Sequence, residues 1–123
     1  MTKVVNLRRD PYDVYIGRAK RDDRGRPMKH SGYFGNPFPI NARRTREQSI
    51  AAYKPYFARR LAQDPIFRQR LEALRGKVLG CFCAPPGGVT CADKPYVCHG
   101  QVIVEYLDAL LYNRGQDESA AIF

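Results

Sequence analysis

A chain of 123 residues with 44% hydrophobic side chains is long enough for one globular domain with a modest core. It has no apolar run near the roughly 20 residues of a membrane span, and its polar start is unlike a signal peptide, so we expect a cytoplasmic protein. The net charge of +9 favours an anionic partner, either a phosphate-bearing small molecule or nucleic acid, over a membrane.

Two short apolar runs predict strands near the N-terminus, at Lys3–Leu7 and Val14–Ile16. Residues 18–35 follow, with six Lys or Arg against two Asp, and we expect a basic irregular loop there. The loop leads into Gly35-Asn36-Pro37-Phe38, where a glycine and a side-chain amide permit close approach of the backbone to a ligand.

Two helices are predicted next. Thr45 and Gln48 have the spacing of a capping box, and apolar residues recur at helical spacing from Arg46 to Ala62. Asp64-Pro65 begins a second helix, which Gly76 ends. Its expected inner stripe is Ile66, Phe67, Leu71 and Leu74. The arginines expected to be mostly solvated are Arg59, Arg60, Arg68, Arg70 and Arg75.

The third strand is expected at Lys77–Cys83, where alternation places the side chains of Cys81 and Cys83 on one face. A Pro- and Gly-rich loop then leads to a last amphipathic helix from His99 to Tyr112. The order β-β-α-α-β-α predicts a small α/β sandwich with a short, at least partly parallel sheet covered by helices. We assign residues 1–115 to this single domain and 116–123 to a loose C-terminal tail.

Five short motifs run through nearly the whole chain. They are Val4-Val5-Asn6-Leu7-Arg8, Tyr15-Ile16-Gly17-Arg18, Gly35-Asn36-Pro37-Phe38, Leu74-Arg75-Gly76-Lys77 with Gly80-Cys81-Phe82-Cys83, and Cys98-His99-Gly100. In this order they resemble the DUF4326 family of small proteins from bacteria, archaea and their viruses. The family usually has Trp where this chain has Phe34 and Phe82, so the aromatic bulk is kept and an indole donor is lost. The resemblance implies the fold and a functional cluster, but no particular reaction.

Three cysteines and a histidine are predicted to converge where the third strand ends and the last helix begins. Cys81, Cys83, Cys98 and His99 are ligand types of a structural zinc site, and in a reducing compartment metal binding is a better expectation than disulfides. Cys91 is an alternative ligand. The competing interpretation is that the cysteines are small buried hydrophobic residues and that His99 only starts a helix.

The same region is suited to a nucleotide-like, phosphate-bearing ligand. The N-terminus of the last helix offers unpaired N–H groups and the positive end of its dipole, with Gly100 in its first turn. We expect Arg18 to act as a phosphate clamp and Asn36 as a base or sugar contact, with close backbone approach at Gly35.

A catalytic role is also open to this cluster. A thiol at a helix N-terminus has a lowered pKa, which makes Cys98 a candidate nucleophile with His99 beside it. These features favour an enzyme acting on a nucleotide or nucleoside. The alternative function is a zinc-stabilised basic module that binds DNA or RNA without catalysis.

Overall fold

Three short strands form a parallel sheet with the cysteine-bearing strand in the middle. The computed structural model describes residues 1–18, 24 and 32–110. Its strands are β1 (Val4–Asn6), β2 (Val14–Tyr15) and β3 (Leu79–Cys81), paired in the order β1-β3-β2 with both pairs parallel. β3 is buried along its whole length, as expected of a parallel strand that is covered on both faces. The small α/β fold is therefore confirmed, with strands shorter than the sequence predicted.

The helices begin where their capping residues predict. Helix α1 (Arg46–Gln63) starts after Thr45, whose side chain and that of Gln48 form the complete capping box. Helix α2 (Pro65–Glu72) starts after Asp64, whose carboxylate accepts a hydrogen bond from the Phe67 amide. The described part of helix α3 covers residues 100–110. Three helices and a three-stranded parallel sheet thus make up the described structure.

The core lies where the sheet meets the helices, and one residue of the predicted stripe is misplaced. Phe67, Leu71 and Leu74 of the α2 region are buried, whereas Ile66 is 60% exposed. Phe67 packs its ring against Phe57 of α1, which turns the preceding residue, Ile66, toward solvent. The prediction that Ile66 belongs to the inner stripe is therefore wrong.

Arg60 departs from the expectation of a solvated arginine surface. Its guanidinium donates a hydrogen bond of 2.6 Å to the carbonyl of Tyr33 and lies 3.8 Å from the ring centroid of Phe67. The charge is thus packed on aromatic faces at the edge of the core. Arg59 and Arg68, by contrast, are exposed.

Most of the basic loop predicted over residues 18–35, and all of the tail predicted over 116–123, lie outside the described residues. Within the described ranges no helix combines the length and apolarity needed to cross a membrane.

Candidate functional site

Four potential metal ligands meet at the carboxyl end of the central strand. Cys81 ends β3, Cys83 follows two residues later, and Cys98 and His99 directly precede α3. One ligand atom from each residue lies within 4.8 Å of all the others, and the sulfurs of Cys81 and Cys83 are 3.1 Å apart. The group could hold a metal ion, and we call these four residues the Cys/His cluster.

The histidine ring is oriented by the neighbouring strand. Its Nε2 atom lies 2.8 Å from the carbonyl oxygen of Ile16, directly after β2. Because a carbonyl only accepts hydrogen bonds, Nε2 carries a proton and Nδ1 is the ring nitrogen left for a metal ion. A backbone carbonyl that fixes the tautomer in this way is a common feature around metal-binding histidines.

Proton affinities in the cluster are strongly shifted. Hydrogen bonds with the Cys83 and Cys98 thiols lower the pKa of Cys81 far below its usual range. Burial, followed by the neighbouring sulfurs, raises the pKa of Cys98. Burial alone lowers the pKa of His99, but hydrogen bonds and attraction to the sulfurs of Cys81 and Cys83 outweigh it and raise the pKa to about 10. The cluster therefore stabilises a thiolate, the form in which cysteine binds metal.

A buried glutamine holds the helix start that carries two of the ligands. Gln101 is fully buried, and its Oε1 atom accepts hydrogen bonds from the amides of Val97 and Cys98. Its Nε2 atom donates to the carbonyls of Thr90 and Asp93. This residue fixes the incoming loop to α3, and our sequence analysis missed it. The available signal was the spacing Cys98-x-x-Gln101, a capping box with cysteine in the place of serine.

A cavity of about 270 Å³ opens beside the Cys/His cluster. The cluster contributes Cys81, Cys83 and His99 to its lining, which also includes two arginines, Arg18 and Arg46. The apolar part of the lining includes Tyr15, Ile40, Ile50 and Phe82. The cavity lies where β2 and β3 end, which is the usual position for ligands of parallel sheets.

Arg18 and Asn36 are brought together, but their side chains are used differently from the prediction. The Arg18 Nε and Nη2 atoms donate to the carbonyls of Asn36 and Phe38 at 2.9 and 3.1 Å. No acceptor among the described residues bonds its other three N–H groups. The Asn36 amide donates to the Ser49 hydroxyl at 2.9 Å and accepts from the Phe38 amide at 2.9 Å. Asn36 thus positions the turn that holds Arg18, and its contact with a ligand remains a prediction.

Gly35 and Gly100 do not belong to the described lining of the cavity. A Cβ atom on Gly35 would lie 2.7 Å from the carbonyl oxygen of Gly17, and one on Gly100 would lie 2.6 Å from Cδ1 of Ile16. Both glycines allow neighbouring segments to approach closely. They shape the surroundings of the cavity, and their predicted contact with a ligand stays a prediction.

Residues 2–109 match the family described as "Domain of unknown function (DUF4326)". The chain belongs to the DUF4326 family. An Enterobacteria phage T4 protein named "Uncharacterized 12.4 kDa protein in nrdA-td intergenic region" is 30% identical over 118 residues, which cover 96% of this chain and 88% of that protein. No solved structure matches significantly.

Two cysteines of this DUF4326 protein do not lie where their alternative predicted roles would require. Cys91 does not belong to the Cys/His cluster. Its sulfur instead lies 3.5 Å from a carboxylate oxygen of Asp108. It is therefore not a substitute ligand in this structure. Cys98 is buried and is not among the described lining residues of the cavity. Its placement suits a metal ligand better than a nucleophile that reaches a substrate in the cavity.

Proposed function

We propose that this DUF4326 protein binds a small nucleotide-like, phosphate-bearing ligand in the cavity beside the Cys/His cluster. The observation that carries the proposal is the charge of the cavity wall. Arg18 and Arg46 line it, and no Asp or Glu is among its described lining residues. Guanidinium groups bind phosphate through paired hydrogen bonds, so this wall is complementary to a phosphate monoester.

The size and the remaining lining support a ring-bearing ligand. About 270 Å³ is near the lower limit of small-molecule sites, which suits a mononucleotide better than a dinucleotide. Aromatic and aliphatic side chains make up much of the remaining lining, and Phe82 packs edge-on to Tyr15 with ring centroids 6.0 Å apart. Apolar walls with few polar groups are typical of sites that hold a planar ring. The proposal concerns binding and places no residue in a chemical step.

We propose further that the Cys/His cluster binds structural zinc. Three thiolates and one imidazole complete a tetrahedral Zn²⁺ shell, which leaves no position for substrate. The hydrogen bond from His99 to Ile16 supplies the expected outer support. All four cysteines are free thiols, which fits the reducing cytoplasm in which we place the protein.

The test begins with protein purified without chelator. Elemental analysis and native mass spectrometry measure zinc per chain, and thermal shift assays with four ribonucleoside 5′-monophosphates measure ligand binding. We expect about one zinc ion per chain and stabilisation by at least one nucleotide. Arg18→Ala should abolish that stabilisation, while Arg59→Ala, an exposed arginine of α1, should keep it. Absence of any nucleotide effect on the unsubstituted protein overturns the ligand proposal, and absence of metal overturns the zinc proposal.

Binding of nucleic acid is a second candidate, favoured by the net charge of +9 and by exposed arginines such as Arg59 and Arg68. It makes the opposite prediction. Affinity for a DNA or RNA oligonucleotide should fall steeply as salt rises and should be insensitive to Arg18→Ala, since contacts with the phosphate backbone are distributed over many cations. That result, together with no response to mononucleotides, would indicate that the protein binds nucleic acid through its basic surface and does not bind a mononucleotide in the cavity.

A further inference from the structure

Two groups of residues around the cavity differ in charge, and this difference would orient a ligand. With zinc bound as proposed, the three thiolates of the Cys/His cluster would outweigh the charge of one Zn²⁺ ion and give the cluster a net negative charge. Arg18 and Arg46 contribute positively charged residues to the lining of the same cavity. A phosphate group would be repelled by the cluster and attracted by the arginines. This inference rests on the proposed function and adds the position of the phosphate.

Several backbone donors at the N-terminus of α3, where the sequence predicts unpaired N–H groups, already have acceptors within the protein. The amides of Val97 and Cys98 donate to Gln101, and the amide of Gly100 donates to the Cys98 sulfur at 3.4 Å. These donors are therefore satisfied within the protein. A phosphate placed there would have to displace a buried hydrogen-bond network, which is costly.

The N-terminus of α1 differs in this respect. Thr45 caps it through the amide of Gln48, while the amides of Arg46 and Glu47 have no acceptor within the described part of the chain. Arg46 is the first residue of this 18-residue helix, so its guanidinium and the positive end of the helix dipole act in the same region. Arg46 also lines the cavity, as does Ser49 one turn later.

Arg18 approaches the cavity from a separate segment and is held in one orientation. Its two hydrogen bonds go to carbonyls of the 36–38 turn, and the Asn36 side chain attaches that turn to Ser49 of α1. The same helix end thus carries Arg46 and supports Arg18. Because Arg18 is already anchored, little side-chain entropy is lost when its remaining N–H groups bind phosphate.

We propose that Arg18 and Arg46 form a phosphate subsite at the N-terminal end of α1, and that the neutral ring of the ligand points toward Cys83 and Phe82. The ligand class is a phosphate monoester attached to a ring of nucleoside size. Arg46 is the residue that distinguishes this arrangement from a pocket that only accepts a nucleoside. The sequence pattern did not identify Arg46 as a binding residue.

The test is calorimetric titration of the zinc-loaded protein with three probes. They are the 5′-monophosphate that most stabilises the unsubstituted protein, its nucleoside, and ribose 5-phosphate. We expect Arg46→Ala to weaken binding of both phosphates about tenfold or more, and to change nucleoside binding less than about twofold. Arg46→Lys should recover part of the affinity, because it restores the charge without the paired donors.

Arg43→Ala is the matched control, since Arg43 is an exposed arginine three residues before Arg46 and is not part of the cavity lining. Equal losses of phosphate affinity in Arg43→Ala and Arg46→Ala would overturn the subsite and point to a diffuse charge effect. An equal loss of nucleoside and monophosphate binding in Arg46→Ala would overturn it as well. If the unsubstituted protein binds the monophosphate but Arg46→Ala behaves like Arg43→Ala, only this inference fails. If the unsubstituted protein binds no mononucleotide, the proposed function fails and the subsite fails with it.

Discussion

The Cys/His cluster and the arginines of the cavity lining are built in opposite ways. In the cluster, Cys81, Cys98 and His99 are buried and Cys83 is half-buried, and the outer support comes from a backbone carbonyl and a buried glutamine. Arg18 and Arg46 are exposed, and Arg18 is held by hydrogen bonds to a surface turn. A buried network loses much free energy when one member is removed, whereas an exposed charge contributes little to folding. Substitutions at the cluster should therefore act on stability, and those at the arginines on affinity.

The largest effect is expected for His99→Ala. It removes one of four metal ligands and leaves the carbonyl of Ile16 without its donor, so we expect loss of zinc and a fall in unfolding free energy of more than about 4 kcal/mol. Elemental analysis and urea unfolding measure the two effects. Adding a strong chelator to the unsubstituted protein should lower its melting temperature without any change of sequence. Full zinc occupancy in His99→Ala would contradict the assignment of this ligand.

Gln101→Ala is expected to be next. It deprives four backbone groups of their buried partner, which we expect to cost about 3 kcal/mol in urea unfolding. Gln69→Ala, on the exposed face of α2, is the control and should change the unfolding free energy by less than about 0.5 kcal/mol. Equal stability of the two variants would show that Gln101 does not hold the helix start.

Asn36→Ala tests the connection between the 36–38 turn, which holds Arg18, and helix α1. Its amide bonds the turn to Ser49, so we expect a stability loss of about 2 kcal/mol. Since the same turn holds Arg18, nucleotide affinity should also fall, and Arg18→Ala should lower affinity with a smaller loss of stability, because its two hydrogen bonds to the turn are more exposed. Asn41→Ala is the control, because Asn41 is exposed and its hydrogen bonds within the described residues stay in its own turn. Unchanged stability in Asn36→Ala would show that the Asn36 side chain does not hold the turn against α1.

The sheet and the cluster were accessible to sequence reasoning because they depend on local periodicity. The alternation of Cys81 and Cys83 along one strand places both sulfurs on one side, and the fold brings them to the start of α3. The spacing of side chains and the position of caps sufficed for these features, even though β3 ends at Cys81.

The contacts of two arginines, by contrast, could not be predicted from local sequence patterns. The sequence identifies Arg46 only as the first residue of a helix, and its place in the cavity lining depends on how α1 packs. Arg60 was read as solvated, yet its partners Tyr33 and Phe67 lie in different segments of the chain. Helical spacing predicts which face of a helix is apolar, but not which aromatic rings from elsewhere will meet its charged residues. Contacts between distant segments require the tertiary structure.

The smallest effect is expected for Cys91→Ser, the variant that tests whether the cluster has three cysteines or four. Cys91 contacts Asp108, and burial together with that carboxylate raises the pKa of its thiol, so it is protonated at neutral pH and not a ready metal ligand. A serine hydroxyl can donate to the same carboxylate. We therefore expect zinc content to stay the same and the unfolding free energy to change by less than about 0.5 kcal/mol, while Cys83→Ser, measured in parallel, loses the metal. A loss of zinc in Cys91→Ser equal to that in Cys83→Ser would mean that the metal-bound protein rearranges the loop before α3 to bring Cys91 in.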